Sequence, residues 1–534
     1  WTVAALVFVL LAAAHTWPLA TNPATLGYDA SDTLLNQWII AWVVHQLPSD
    51  PTRLFQGNIF YPATDSLAFS EPLIVPALLA APAIWLGASP VLAHNLMLLA
   101  GFALTGLATY AVVFVWTRDR LAGLLAGSLF AFNAHSLTRL AHVQAQHAYG
   151  LPLALLFADR LITHPGRGAA LGLAVSMAMM AYTSGYLIVF ATVMIGIVLL
   201  VRVPDWRHDY RRVAGAFMLA TFVAVLLVLP VYMPYRRVAT EQGMVRHLVN
   251  IRQYSATVWS YAAAPGRVHF STWSEPVQKT VRDSFFPGIL GATLSAVALW
   301  QAARGGAQRA RVLMLAAIGV AGFGLSLGVR TPIYGLLFAV FPPMQGLRVA
   351  SRFGMLFLCA IACLAGLGLA GLRERFQVRR WTTALAIASV IIANVETFRA
   401  PFTYRRFNGI SPVYDLLAAE PGPVVLAETP FYPPRAEFHN ADYVRNSTAH
   451  WRPMMNGYSG YTPGSYRRIA RTFAAFPEER AIQAMRKAGV THVTVHADRF
   501  RDDPQRVIET LSRRPDFELL AIGAPRRILL YRLR

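Results

Sequence analysis

The chain has 534 residues, of which 55% are hydrophobic and 14% charged. Soluble domains carry about 25% charged residues, so this composition excludes a wholly soluble protein and implies a polytopic membrane protein with an added soluble part. The formal charge is +21, from 48 basic residues that are nearly all Arg. Those residues are scattered, and many fall in short loops between apolar runs. That pattern speaks for membrane topology and against a nucleic-acid partner. The two cysteines, Cys359 and Cys363, stand four apart inside an apolar run, which excludes a disulfide framework and a cysteine metal site.

The first run, Thr2 to Leu19, has Trp17-Pro18 near its end and lacks a small-residue cleavage site after it, so it reads as a retained span. Further runs long enough to cross a bilayer lie at roughly 92–116, 121–134, 149–163, 169–182, 185–201, 213–233, 285–303, 311–328, 351–372 and 381–398. Pro72 to Leu86 is interrupted by Pro76 and Pro82 and reads as a membrane-associated or re-entrant helix on the outer side. With the N-terminus inside, the inner loops become 118–120, 164–168, 202–212, 304–311 and 373–380, all of which carry Arg. Counting Pro72 to Leu86 as a full crossing would move these loops to opposite sides midway along the chain. The positive-inside rule therefore favours about eleven transmembrane helices, with the N-terminus cytoplasmic and the C-terminus outside.

The outer loops are then 20–91, 134–149, 234–284 and 328–350. From about Pro401 the apolar runs shorten, and Gly, Pro, Tyr and charge increase. Val424–Ala427, Thr491–His496, Leu519–Ile522 and Ile528–Tyr531 read as strands, and Arg480–Ala488 and Gln505–Ser512 as helices, an alternation that suggests an α/β domain. The expected division is a transmembrane domain, 1–400, with a large first outer loop, 20–91, and an outward-facing soluble domain, 401–534.

The first outer loop places Asp29 and Asp32 three residues apart in Gly27-Tyr28-Asp29-Ala30-Ser31-Asp32-Thr33, just beyond the first span. Carboxylates beside a bilayer are costly and mark either a site or a cap. Asp32, helped by Ser31, would cap a helix beginning at Thr33. Alternatively it would act as a general base. Glu71 stands at the mouth of the broken helix in Phe69-Ser70-Glu71-Pro72. The second outer loop supplies Arg139, His142, Gln144 and His147. Its three histidines, His135, His142 and His147, match no familiar ligand spacing, so a divalent metal is not favoured and no cofactor is expected. Arg348 and Arg352, four apart on the helix entering the membrane, suit a phosphate by fork geometry or sit as interfacial snorkelling residues. The stretch from His450 to Pro463 is rich in aromatic and amide groups, with His450, Asn456 and Tyr458 as candidate sugar contacts.

At these residues the sequence resembles the GT-C membrane glycosyltransferases, a superfamily that includes oligosaccharyltransferases, protein O-mannosyltransferases and lipid A aminoarabinose transferases. Asp29 and Asp32 after the first span resemble the acidic first outer loop of that group. Asn58-Ile59-Phe60-Tyr61-Pro62, Leu67-Ala68-Phe69-Ser70-Glu71-Pro72, Pro90-Val91-Leu92-Ala93-His94-Asn95-Leu96, His142-Val143-Gln144 and Asn456-Gly457-Tyr458-Ser459-Gly460 resemble motifs of its poorly characterised bacterial members. The resemblance implies a GT-C-like polytopic α-helical membrane protein of the bacterial inner membrane. It further implies sugar transfer from a polyprenyl-phosphate-linked donor to a glycan, lipid or protein acceptor at the outer face, among membrane lipids. Asp32 would be the base and Asp29 the second choice, with Glu71, His142, Gln144, Arg348, Arg352, His450, Asn456 and Tyr458 binding substrate. Many GT-C enzymes carry a further Asp in the second loop, where His142 and Gln144 stand here.

Two other readings share this architecture. A non-catalytic transporter or assembly factor for lipid-linked glycans would place charge near the bilayer midplane, whereas Asp159 and Glu396 fall near the ends of their runs. A membrane acyltransferase would need a catalytic histidine deep in the membrane, for which His142 is the candidate.

Overall fold

The computed structural model describes residues 1–243, 248–376, 379–500, 504–523 and 527–534. The chain is 69% helical there on the whole and forms two compact units. Each of the eleven apolar runs is helical. Among the described residues five helices are long and apolar enough to cross a membrane: Pro90–Thr117, Arg120–Thr138, Val203–Glu241, Arg309–Ser326 and Ala350–Arg375. Others are shorter, such as the 14-residue Thr2–His15, which covers about 21 Å against a hydrocarbon core of about 30 Å.

The first unit comprises Trp1–Asn22, Leu96–Met233 and Met244–Thr403. At its centre lies the helix Gly354–Arg375, buried along most of its length and packed against Ile289–Ala303, Arg309–Ser326 and Arg120–Ala131. The packing needs small residues. A Cβ on Gly322 would fall 2.6 Å from the Phe357 backbone nitrogen, so glycine is what lets the two helices approach this closely. Met218, Phe222, Val225, Leu226 and Leu229 stand exposed along one helix, an apolar surface that water would not tolerate but lipid would.

The Arg-bearing loops gather at one end of this bundle. Asp159, almost fully buried, accepts from Arg202 Nη1 at 2.5 Å, from Arg311 Nε at 3.0 Å and from the Trp116 indole at 3.0 Å. Arg373 pairs with Asp119 at 3.0 Å. The helix Gly185–Val201 runs from this cluster to Tyr186, which lies at the opposite end. There its hydroxyl accepts from the Arg348 and Val349 backbone amides, both at 3.0 Å.

The second unit comprises Pro23–Asn95, Pro234–Gly243 and Tyr404–Arg534, so the first outer loop packs with the C-terminal segment. Strands β1 (Leu26–Gly27) and β2 (Arg405–Arg406) join the two in a short antiparallel ladder. The C-terminal segment folds around a four-stranded mixed sheet. In it β3 (Leu426–Thr429) runs parallel to β4 (His492–His496), and β6 (Ile528–Leu533) lies antiparallel between β4 and β5 (Phe517–Gly523). Amphipathic helices cover it: Glu479–Lys487 buries Ala481, Ile482 and Met485, and Pro504–Ser512 buries Val507 and Leu511. The helix Ser31–Ser49 packs against Ala441–Asn446 and against Ile74–Trp85. The latter has only 12 residues and leaves Leu78, Leu79 and Trp85 exposed, and Leu86 just after it is exposed as well.

Candidate functional site

Asp32 lies in the first turn of Ser31–Ser49, and the N-cap position is Ala30, which makes no side-chain cap. This corrects the expectation of a helix starting at Thr33 with Asp32 as its cap. The carboxylate instead rides inside the first turn, where the helix dipole favours negative charge. Its Oδ1 accepts a hydrogen bond from the Tyr458 hydroxyl at 2.7 Å. Asp29 is exposed and sits 3.3 Å from Arg405, which the pairing of β1 with β2 brings alongside.

The loop segments that fix Asp32 are tied to one another by backbone and amide hydrogen bonds. The Trp38 indole, two turns along the same helix, donates to Asn58 Oδ1 at 3.0 Å, and Asn58 Nδ2 reaches the Arg452 carbonyl at 3.3 Å. The Met454 amide donates to the Asn58 carbonyl and the Phe60 amide to the Asn456 carbonyl, at 2.9 and 3.0 Å. Gly457 admits this approach, because a Cβ there would fall 2.5 Å from the ring of Phe60. Asn456 is fully buried and straddles the backbone of Glu428, accepting its amide at 2.8 Å and donating to its carbonyl at 3.0 Å. Asn95 Nδ2 holds the carbonyls of Pro23 and Leu26 at 2.8 and 2.5 Å, which fixes the strand leading into Asp29.

Other residues singled out in the sequence are placed as follows. His450 is buried, stacks on Tyr414 with ring centroids 5.7 Å apart, and accepts the Arg452 amide through Nδ1 at 3.0 Å. Glu71 is half-buried. The preceding Ser70 carbonyl accepts from the Tyr235 hydroxyl at 2.6 Å. Asp65 is buried between Gln56 and Arg237, each at 2.7 Å.

In the first unit, His142, Gln144 and Arg352 line one cavity together with His135, Arg139 and Tyr186. Arg352 lies over the Tyr186 ring at 4.5 Å, whereas Arg348 lies over the Tyr254 ring at 4.9 Å. The cavity's anchor is Asp283, which sequence reasoning missed. It is buried, pairs with Arg139 and accepts from the Ser351 hydroxyl at 2.7 Å. Burial would raise its carboxyl, but Arg139, His135 and Ser351 together hold it below the ordinary range. The three histidines of this loop have separate partners: His135 stacks on Phe285, and His147 hydrogen-bonds the Met97 carbonyl at 2.8 Å. Among the described residues no three His, Cys, Asp or Glu side chains form a group that could hold a metal.

A second feature with no sequence signal lies inside the α/β part. Glu428 on β3 is fully buried and accepts from Thr494, from Tyr414 at 2.9 Å and from His496 Nε2 at 2.6 Å. Burial opposes its charge, yet His496, Thr494 and His450 hold the carboxyl below its ordinary value.

No family model and no curated protein matches the chain. Solved structures do. The arabinofuranosyltransferase AftD from mycobacteria is matched over 100% of this chain and 39% of that one, with 14% identity and a TM-score of 0.60. The chain thus spans about two fifths of the length of AftD. The oligosaccharyltransferase of Archaeoglobus fulgidus, tethered to an acceptor peptide containing the NVT sequon, is matched over 93% of this chain and 69% of that one, with 13% identity and a TM-score of 0.51. ArnT from Cupriavidus metallidurans is matched over 99% and 96%, with 14% identity and a TM-score of 0.50. All three are members of the GT-C superfamily, and the chain shares their fold.

Proposed function

We propose that the protein is a membrane glycosyltransferase that moves a sugar from a polyprenyl-phosphate-linked donor to an acceptor hydroxyl at the outer face of the bacterial inner membrane. The carrying observation is the Asp32 carboxylate, set in a helix first turn and held by Tyr458 from a motif over four hundred residues away. Around it, the first-loop and C-terminal motifs knit into one framework. The fold shared with glycosyltransferases supports the reaction class, although fold alone does not fix a reaction.

In the proposed reaction the acceptor oxygen attacks the anomeric carbon, the bond from that carbon to the donor phosphate breaks, and the phosphate leaves on its carrier with the bonding electrons. Asp32 takes the proton of the attacking hydroxyl, and inversion at the anomeric carbon follows from the single displacement. Tyr458, donating to Oδ1, fixes the rotamer of the base. In the first unit's helix bundle, Arg139 is committed to Asp283. The gathered Arg loops at one end of that bundle support a cytoplasmic assignment for that end.

The test is release of free carrier lipid from polyprenyl-phosphate-linked pentose and hexose donors in liposomes holding the purified protein. Asp32→Asn preserves shape, and should lower release by roughly 10²-fold or more, the usual share of general-base catalysis, with unchanged thermal unfolding. Full release by Asp32→Asn sinks the base assignment. No release by the wild type with any donor sinks the transferase reading.

A further inference from the structure

The second unit contains an open cleft of about 500 Å³ that holds none of the proposed catalytic residues. Its walls include Val44 and His45 on the last turns of Ser31–Ser49, Trp85 at the end of Ile74–Trp85, Ile410, Thr448 and Trp451. Its volume is in the range of ligand pockets. In a chain with 48 basic residues and a charge of +21, the lining contains no Asp, Glu, Lys or Arg among the described residues. Burial lowers the His45 imidazole from its ordinary value, so it too is neutral at pH 7. A phosphate, a nucleotide or an acidic ligand would find no counter-charge there.

What the cleft offers instead is flat aromatic surface with polar edges. The Trp85 indole is 67% exposed. The rings of His45 and Trp451 are stacked with centroids 4.2 Å apart and planes within 10°. Trp42 lies 5.9 Å from Trp451 and 6.0 Å from Trp38, which extends the aromatic row along the helix. Trp451 holds a backbone φ of 55°, a conformation that a bulky residue adopts only when its surroundings impose it. They do so here. The Trp451 amide donates to the Ser447 carbonyl at 2.8 Å, the Arg452 amide to His450 Nδ1 at 3.0 Å, and the Arg452 guanidinium to the Ala418 and Glu420 carbonyls at 2.9 and 2.7 Å. His450 and Arg452 therefore position the indole rather than touch a ligand. The C–H face of a sugar ring carries the positive edge that an aromatic face attracts, and the Thr448 hydroxyl and the His45 ring can meet its hydroxyls. A lipid tail would need neither.

We infer that this cleft binds the body of a neutral oligosaccharide acceptor. His45 lies thirteen residues from Asp32 on one helix, about 20 Å along its axis. The acceptor is accordingly an extended glycan, with its reacting end at Asp32 and its distal sugars against Trp85 and Trp451. The placement of the reacting end rests on the transferase reading, while the cleft's own affinity does not.

The test is direct binding of linear neutral hexasaccharides, one built of pentofuranose and one of hexopyranose units, to the full chain in nanodiscs. At least one should bind at about millimolar affinity or tighter. Trp85→Ala, at an exposed position, and Trp451→Ala should each weaken binding by roughly tenfold or more. Binding by neither glycan, or binding indifferent to both tryptophans, overturns the inference. So does quenching of Trp451 fluorescence by brominated phospholipid, read as the difference between wild type and Trp451→Phe, since a lipid then fills the cleft. Loss of transfer in Asp32→Asn without any glycan binding would remove the cleft and keep the transferase. Binding with full transfer by Asp32→Asn would do the reverse.

Discussion

Acidification should weaken the second unit through His450, and the size of the effect follows from its surroundings. The side chain is 4% exposed, with Glu428 and Arg452 as its charged neighbours and Tyr414 stacked on its face. Burial dominates, Glu428 partly offsets it, Arg452 adds to it, and the pKa falls to about 4 from 6.5. The folded state thus resists a proton that the unfolded chain binds at 6.5. Stability from this group is fully present above that value and is lost as pH falls toward 4. Each pH unit in the window is worth about 1.4 kcal/mol, so the full loss is about 3 kcal/mol. For a unit of about 200 residues that corresponds to a melting point lowered by about 10 °C. The assay is thermal unfolding from about pH 7 down to about pH 4, comparing wild type with His450→Asn, whose Oδ1 keeps an acceptor for the Arg452 amide but does not titrate. Other buried histidines act equally in both proteins, so the difference isolates His450. Parallel pH curves for the two proteins would refute the reasoning.

Three further outcomes are expected. Tyr458→Phe removes the hydroxyl on Asp32; because both groups are half-buried, transfer should fall by only about tenfold, the lower range for a hydrogen bond to a charged group, and an unchanged rate would mean that Tyr458 does not orient the base. Asp159→Asn removes the buried carboxylate shared by Arg202 and Arg311 and leaves Arg202, which is 5% exposed, with Asp205 alone; it should cost about 1.5–3 kcal/mol, read as a lower melting temperature of the purified protein, and an unaltered melt would show the cluster to be dispensable. Gly457→Ala drives a methyl against the fully buried Phe60 ring and should destabilise by about 1–3 kcal/mol, whereas Gly409→Ala, with open space at its Cβ position, reports the backbone cost of a positive φ alone.

The apolar runs are legible as helices, one over each of the eleven, and among the described residues five helices are long and apolar enough to cross a membrane. Helix starts were less legible. The alternative of Asp32 as a cap rests on the frequency of Asp before a helix, but the residue at the N-cap position is Ala30. A local rule does not anticipate the long-range hydrogen bond from the Tyr458 hydroxyl to the carboxylate. The motifs carrying the family resemblance were visible as strings, but their purpose was not. Asn58, Asn95 and Asn456 turn out to hold backbone carbonyls and amides, work for which an amide side chain is suited and which no spacing pattern announces.

The least legible features are those whose partners lie far apart in sequence. Asp283 meets Arg139 and Ser351 across 144 and 68 residues, and Glu428 meets His496 across 68. Each reads in the sequence as an isolated charge. Their burial, not their neighbours in the chain, decides what they do: a buried carboxylate must be satisfied by several donors or it destabilises the fold. His450 illustrates the converse. It was read as a sugar ligand for its place in an aromatic, glycine-rich stretch, and it lies beneath that stretch, where its Nδ1 fixes the backbone that turns Trp451 outward. Composition marks the segment as a candidate for sugar contacts, and the direction of each side chain separates a residue that lines a surface from one that holds the backbone beneath it.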